Sequence, residues 1–274
     1  MPLNDLQKEI LPLIANNRCL ESYLAGGSLL NRSEDSPRFS RDLDIFHESL
    51  KAVEEAAKKD ETCLVRHGFS VQWLLQKPGF HQAIVTSKQG DAIKMEWAQE
   101  SNFRFFPLDQ DPLFGFRLHD ADLATNKILA LAGRQTARDF LDALFLHQSY
   151  LSLGALIWAA SGKDPGLTPE WILNEAKREN RFSQEALERA QAENDLVCPI
   201  DVIQTKQTWL RACQEAESLF RMLPPDEMGC LYLDKQGKPR TPDGNKIDLT
   251  LHYATVRGTL PTFSRVETSD SQNV

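Results

Sequence analysis

The sequence feature that most constrains the fold is a small-residue turn followed by two closely spaced carboxylates. Gly26, Gly27 and Ser28 end a short apolar run, and Asp42 and Asp44 lie two residues apart inside a second apolar run. Glycine lets backbone N–H groups approach a polyphosphate without a Cβ in the way. Side chains two apart on a strand point to the same face, so both carboxylates can converge on bound cations. We therefore expect phosphate and metal chemistry here.

Three segments of alternating apolar residues follow and predict a β-meander. They are residues 69–76, 80–87 and 92–98. In the last segment the apolar residues alternate with Lys94 and Glu96, so Glu96 lies on the face opposite the core. The spacing alone permits Glu96 to lie with the other carboxylates of the site. The alternative is a solvent-facing carboxylate on an edge strand.

Helical periodicity occurs on both sides of the first aspartates. Apolar spacing predicts a helix over residues 3–17, which Pro12 would kink or divide. Ser49 is placed to cap a second helix that runs to about residue 60. We expect the first of these helices to pack behind the first strand.

The second half of the chain has a mainly helical pattern. It begins with Asp120 or Asp122 as the cap, and Gly133 is placed to separate two helices. Further helices are predicted to start at Thr168 and to cover residues 183–192 and 201–222. The final residues 264–274 are polar and predict a loose tail.

These patterns together predict an α/β (α+β) fold. We expect a small mixed, twisted sheet with flanking helices, followed by a helical C-terminal domain. The predicted boundaries are a site-bearing domain over residues 1–118, a helical domain over 119–225, and a small hairpin, loop and tail over 226–274. The cleft between the first two should hold a ligand.

Composition limits the ligands and the cellular location that we expect for this protein. The 274 residues carry a formal net charge of −8, which argues against a broadly basic nucleic-acid surface but leaves room for a local basic patch. There is no apolar run of about 18 residues, so we expect no membrane insertion. The five cysteines are scattered and the six histidines lack metal-ligand spacing, which favours a reducing cytoplasm without a zinc site. Of the histidines, only His47 is expected near the site.

These motifs, in this order, resemble the nucleotidyltransferases of the DNA polymerase β superfamily, whose pattern is Gly-Ser, a spacer and Asp-x-Asp. Within that superfamily the chain is similar to the AbiEii-type abortive-infection toxins over roughly residues 20–147. The similarity is carried by Gly27-Ser28, by residues 39–46, and by a later stretch that includes Lys127, Arg138 and Asp142. The resemblance implies a nucleotidyltransferase-type sheet.

For the carboxylates, the resemblance implies a metal site. Asp42 and Asp44 would hold two Mg²⁺ ions, and Glu96 would complete the site nearer the acceptor and take its proton. A lone Asp-x-Asp is more often a surface or capping feature, which is the alternative for Asp42 and Asp44.

For the substrate, the resemblance implies a nucleoside triphosphate (NTP) bound by Gly27, Ser28, Lys127 and Arg41. Gly27 and Ser28 would cradle the terminal phosphates, and Lys127 would neutralise charge on the triphosphate or on the leaving pyrophosphate. A simple turn and an exposed helical lysine are the corresponding alternatives. Asp139 and Asp142 are expected to orient the site or to form ion pairs with Arg134 or Arg138.

The function that follows is Mg²⁺-dependent transfer of a nucleoside monophosphate to an acceptor hydroxyl, with tRNA as the implied acceptor and a cognate antitoxin as the implied protein partner. One alternative is a small-molecule or protein acceptor, for example an aminoglycoside-like compound. Another is a nucleotide-binding module of the same fold without turnover. A basic surface that joins Lys127, Arg134 and Arg138 to the cleft would favour RNA, whereas an acidic, enclosed pocket would favour a small cation.

Overall fold

The structure is a computed structural model that describes residues 3–134, 136–178, 183–192, 196–197, 199–243 and 248–263. The helices are α1 (Asp5–Ala15), α2 (Gly26–Leu30), α3 (Leu50–Arg66), α4 (Asp120–Gly133), α5 (Ala137–Ser149), α6 (Leu153–Ser161), α7 (Pro169–Lys177), α8 (Gln184–Ala192) and α9 (Val202–Met222). The strands are β1 (Ser22–Ala25), β2 (Asp42–His47), β3 (Ser70–Lys77), β4 (Phe80–Thr86), β5 (Ala92–Gln99), β6 (Phe103–Arg104), β7 (Asp109–Asp111), β8 (Gly115–Arg117), β9 (Cys230–Leu233), β10 (Thr250–Tyr253) and β11 (Thr255–Val256). The predicted mixed α/β fold with a helical C-terminal region is confirmed.

A seven-stranded mixed sheet forms the centre of the fold, in the order β3-β4-β5-β2-β1-β8-β7. The predicted meander appears as β3, β4 and β5, which pair antiparallel in sequence order. The pair β2–β5 is parallel, and this pair brings the Asp-x-Asp strand beside the strand of Glu96. The short strands β7 and β8, which the sequence analysis missed, extend the opposite edge.

The two faces of the central strands differ in polarity. In β2 and β5 the apolar side chains are fully or almost fully buried, as with Leu43, Met95 and Trp97. Helices α1 and α3 cover this face. The opposite face of β2 and β5 has the side chains of Asp42, Asp44, Lys94 and Glu96, which border a cleft shared with the helical part of the chain.

The two N-terminal helices depart from the sequence prediction. Pro12 lies inside the single helix α1 and does not divide it. Helix α3 begins at the predicted cap, Ser49, but continues to Arg66, well past residue 60. Asp60 is fully buried, where it accepts hydrogen bonds from Arg18 at 2.6 Å and from the Trp97 indole at 2.8 Å. This buried carboxylate belongs to the helix interior, and a polar residue here does not mark the helix end.

The helical region begins with α4 and α5, which are separate helices divided near Gly133 as predicted. The cap of α4 is His119, whose Nδ1 accepts the Ala121 N–H at 3.2 Å, so Asp120 and Asp122 are not the cap. Asp122 is instead buried and accepts backbone N–H groups of the segment after β6.

The other predicted helix starts match the structure. Thr168 caps α7, with Pro169 as its first residue, and Asp201 caps α9. No single helix in the described ranges is long and apolar enough to cross a bilayer; α5 and α6 meet that length and composition only jointly, across a 112° bend.

The C-terminal segment returns to the sheet-bearing part of the chain. Strand β9 pairs antiparallel with β10, as the predicted hairpin region requires, and β11 pairs with β6. Arg257 adds ion pairs to Glu21 and Glu48. The predicted tail over 264–274 lies outside the described residues.

Candidate active site

The parallel pairing of β2 with β5 brings the three predicted carboxylates together. In this register Asp44 lies opposite Glu96, and Asp42 lies opposite Lys94. Residues that are opposite each other in a sheet project from the same face, so all four side chains share one surface. Gln82 of β4 donates a 2.8 Å hydrogen bond to Glu96 Oε1 and fixes that carboxylate from the other side.

The glycine turn approaches Asp44 closely. Gly26 has φ +71°, and a Cβ at this position would collide with the Asp44 carboxylate, so only glycine fits. The Gly27 N–H donates to Asp44 Oδ2 at 3.2 Å. The pKa of Asp44 is nevertheless raised, first by burial and then by the negative charge of Glu96 and Asp42. The site therefore concentrates negative charge where it is poorly solvated.

Two predicted nucleotide-binding residues lie outside the cleft that the carboxylates border. Ser28 is fully buried, and its hydroxyl has no hydrogen-bond partner among the described residues. Arg41 is exposed, and its side chain does not border the cleft. Helix α2 turns Ser28 inward immediately after Gly27, whereas Arg41 precedes β2 and is out of phase with its polar face. The structure thus brings Gly27 and Lys127 to the carboxylates but not Ser28 or Arg41.

Lys127 belongs to a buried network of charges at the junction of α4 and α5. Its Nζ lies 2.9 Å from Asp139 Oδ1 and 3.0 Å from Asp142 Oδ2. Arg38 makes a bidentate contact with Asp142 at 2.7 and 2.6 Å. Although burial opposes its charge, the cations Lys127 and Arg38 lower the pKa of Asp142 to about 2. The network fixes Lys127 at the edge of the cleft.

The partners in this network differ in part from the expected ones. Arg134 lies 3.3 Å from Asp139, as expected, but Asp142 pairs with Arg38 instead of Arg138. Sequence reasoning missed Arg38 because it lies in a polar loop without periodicity, and only the tertiary fold brings that loop to α5.

Lys94 is a second residue that sequence reasoning did not place in the site. Its Nζ lies 2.9 Å from Glu96 Oε1 and 3.3 Å from Asp42 Oδ2. Burial disfavours its charge, but both carboxylates outweigh that effect and raise the pKa of Lys94. Its position two residues before Glu96, on the same strand face, was the available signal.

The donor set suits a hard divalent cation. Mg²⁺ prefers carboxylate oxygens, and the buried charge of Asp44, beside Asp42 and Glu96, is what such an ion would neutralise. In the described part of the chain no three acidic, histidine or cysteine side chains converge on a single point, and Lys94 lies against two of the carboxylates. The carboxylate oxygens of this cluster fit the ion chemically.

Two cavities meet at the carboxylates. The first, of about 500 Å³, is bordered by Asp42, Asp44 and Glu96 on the sheet and by exposed arginines of the helical region. These arginines are Arg134, Arg138 and Arg189. The second cavity, of about 450 Å³, shares Asp44, Glu96, Lys127 and Arg134 with the first and adds apolar lining that includes Phe46 and Phe80. The site thus has a cationic side, with the three exposed arginines, and a side with aromatic residues.

His47 does not belong to this site. It is fully buried on the opposite face of β2, because strand alternation places it with Leu43 and Ile45. The expectation that His47 lies near the carboxylates is therefore wrong.

Comparisons with known proteins concern the family and the fold of this chain. The family model described as "Nucleotidyl transferase AbiEii toxin, Type IV TA system" matches residues 15–196. The nucleotidyltransferase toxin MenT4 from Mycobacterium tuberculosis aligns with a TM-score of 0.51 and 16% identity, over 81% of this chain and 83% of that one. JHP933 from Helicobacter pylori aligns with a TM-score of 0.48 and 16% identity, over 80% of this chain and 95% of that one. No curated protein sequence matches.

Proposed function

Because the chain belongs to the AbiEii family of nucleotidyltransferase toxins, we propose that this nucleotidyltransferase moves a nucleoside monophosphate from an NTP to an RNA hydroxyl and releases pyrophosphate. The observation that carries the proposal is that Asp42, Asp44 and Glu96 lie on the same face of the β2–β5 pair, at a cleft bordered by cations. This arrangement has the charges that nucleotidyl transfer requires.

We assign Asp42, Asp44 and Glu96 as the residues that would hold Mg²⁺, with two ions expected. When bound, the ions supply charge neutralisation at the attacking and leaving oxygens. Glu96 faces the acceptor side and takes the proton of the attacking hydroxyl, while Gln82 keeps its carboxylate oriented through the 2.8 Å hydrogen bond.

The triphosphate occupies the cationic side of the cleft. Gly27 offers a backbone close to the carboxylates without a side chain, and Lys127 presents its ammonium from a position fixed by Asp139 and Asp142. The apolar cavity beside them, with Phe46 and Phe80, suits the flat base of the nucleotide. Ser28 and Arg41 have no part in this assignment, because neither side chain borders the cleft.

The charge of the cleft rim favours RNA over a small cationic acceptor. Arg134, Arg138 and Arg189 are exposed and border the cavity that contains the carboxylates. They come from α5, α8 and the loop after α4, so they form a local basic surface on a protein whose net charge is −8. Such a surface attracts a phosphate backbone. We propose tRNA as the acceptor and, since the family is one of type IV toxins, a cognate antitoxin as a partner.

The test is incubation of the full chain with each of the four α-labelled triphosphates, Mg²⁺ and total RNA. Label should enter tRNA-sized RNA and should require Asp42 and Asp44. An Asp42→Ala, Asp44→Ala double variant is the inactive control, and Asp91→Ala, in an exposed turn, is the matched surface control. Label on protein or on a small molecule would contradict the RNA acceptor. Absence of triphosphate binding would contradict the catalytic assignment.

A further inference from the structure

Lys94 lies between two of the carboxylates assigned to the metal. Its ammonium contacts Glu96 at 2.9 Å and Asp42 at 3.3 Å, and its side chain is 34% exposed. The strand register dictates this position, because Lys94 stands opposite Asp42 in β2 and shares a strand face with Glu96. Strand β5 therefore holds the Lys94 ammonium among the carboxylates, at the border of the cleft.

The environment of Lys94 differs from that of Lys127. Lys127 is only 7% exposed and pairs with Asp139 and Asp142, which are outside the assigned metal ligands. Lys94 pairs with the assigned ligands themselves. A change at Lys94 therefore acts directly on the oxygens that would bind the ion, whereas Lys127 can keep its partners when the ion binds.

The Lys94 ammonium and a magnesium ion are attracted by the same two carboxylates. Mg²⁺ binds oxygen ligands at about 2.0–2.1 Å in nearly octahedral geometry, and a positive charge already in contact with Asp42 Oδ2 and Glu96 Oε1 repels the ion. The lysine side chain is a point charge on a flexible four-carbon stem and can turn to another anion. The phosphates of an NTP in the same cleft would provide that anion.

We propose that Lys94 is a positioning residue that holds Asp42 and Glu96 in place while the metal is absent. When the divalent cation binds these carboxylates, the Lys94 ammonium leaves them and pairs with a phosphate of the incoming triphosphate. This inference rests on the proposed function, since it takes Asp42, Asp44 and Glu96 as metal ligands. It has two consequences of opposite sign: Lys94 weakens binding of the metal alone, and it strengthens binding of the triphosphate once metal is present.

The experiment is calorimetric titration of the full chain with Mg²⁺ alone, and then with each of the four α,β-methylene triphosphates at saturating Mg²⁺. Lys94→Met should tighten the Kd for Mg²⁺ roughly tenfold, because it removes a positive charge in contact with two carboxylates. The same variant should weaken triphosphate binding roughly tenfold, because a charge-assisted contact is lost. Lys94→Arg should stay near the wild-type protein in both titrations.

Lys77→Met is the matched control, since Lys77 is an exposed lysine in β3 of the same sheet and does not border the cleft. Unchanged or weaker Mg²⁺ binding in Lys94→Met would overturn the proposal, and a purely structural role would give that result.

An Asp42→Asn, Asp44→Asn variant distinguishes a failure of the metal assignment from a failure of the role proposed for Lys94. If it binds Mg²⁺ like the wild-type protein, the metal assignment itself fails. If it loses Mg²⁺ while Lys94→Met shows no change, only the role of Lys94 fails.

Discussion

Asp44 and Glu96 face each other across the parallel strands β2 and β5, although they belong to distant parts of the sequence. Burial, and after it the repulsion from the Glu96 carboxylate, raises the pKa of Asp44. The pairing of β2 with β5 fixes the position of Glu96 relative to Asp42 and Asp44. A sheet holds such side chains more rigidly than a loop does.

The first prediction concerns the charge of Glu96. Glu96→Gln keeps the shape and the neighbourhood of Gln82 but removes the carboxylate to which we assign metal binding and proton transfer, so we expect kcat for nucleotidyl transfer to fall by about 10²-fold or more. Glu96→Asp should retain more activity than Glu96→Gln. Glu54→Gln, on the exposed face of α3, is the control. Equal activity of Glu96→Gln and wild type in a single-turnover transfer assay would remove Glu96 from the site.

The second prediction concerns the stability of the buried network. Asp142→Ala would leave Arg38 without its bidentate partner and Lys127 with one carboxylate fewer, so we expect the free energy of unfolding to fall by about 3–5 kcal/mol. Glu55→Ala, which breaks the exposed pair with Lys51, should cost less than about 1 kcal/mol. Urea denaturation measures both. Similar losses in the two variants would show that the network adds no stability of its own.

The third prediction concerns pH. Burial, with the nearby charge of Arg18, lowers the pKa of His47 to about 3 from 6.5. Between these values the unfolded chain binds a proton at this imidazole and the folded chain does not, so stability falls as pH decreases below 6.5. The loss from His47 at pH 5 should be about 2 kcal/mol.

Urea denaturation at pH 7.5 and pH 5.0 tests this sign. His47→Leu should reduce the difference between the two pH values, whereas His67→Leu, at an exposed histidine, should leave it unchanged. An unchanged difference in His47→Leu would mean that this histidine does not titrate as its burial requires.

The fourth prediction concerns the basic rim. Replacing Arg134, Arg138 and Arg189 by glutamine should weaken RNA binding and make the dependence of log K on log salt shallower by about 2, as expected for three lost contacts to single-stranded phosphates. Three exposed arginines elsewhere form a control of equal charge change: Arg66, Arg211 and Arg221. Filter binding over a salt series gives the slopes. Equal slopes for the two triple variants would place the RNA on another surface.

The local part of this architecture was predictable from sequence. Alternation identified β3, β4 and β5 within one or two residues, and it placed Glu96 opposite the apolar face of Met95 and Trp97. Side-chain caps such as Ser49 and Thr168 fixed helix starts because their hydroxyl oxygens accept hydrogen bonds from the backbone N–H groups three residues ahead. These features depend on residues close together in the chain.

The missed features depend on distant partners. Asp60 was taken as the end of a helix, yet Arg18 satisfies its charge inside the core. Arg38 lies in a loop without periodicity, so its contact with Asp142 could not be predicted before that loop docks on α5. Strand alternation places Lys94 on the face of Glu96, but its contact with Asp42 depends on the pairing of β2 with β5. Ser28 was placed at the phosphates by its neighbours in sequence, whereas the short helix α2 turns its hydroxyl into the interior.

The most direct test of the central assignment is to count products per transfer event. In the presence of Mg²⁺ and acceptor RNA, the wild-type chain should release one pyrophosphate for each nucleoside monophosphate incorporated. The Asp42→Asn, Asp44→Asn variant, with unchanged Tm, should neither release pyrophosphate nor incorporate the nucleoside monophosphate. Release of orthophosphate in place of pyrophosphate, or undiminished incorporation by the folded variant, would contradict nucleotidyl transfer at these carboxylates.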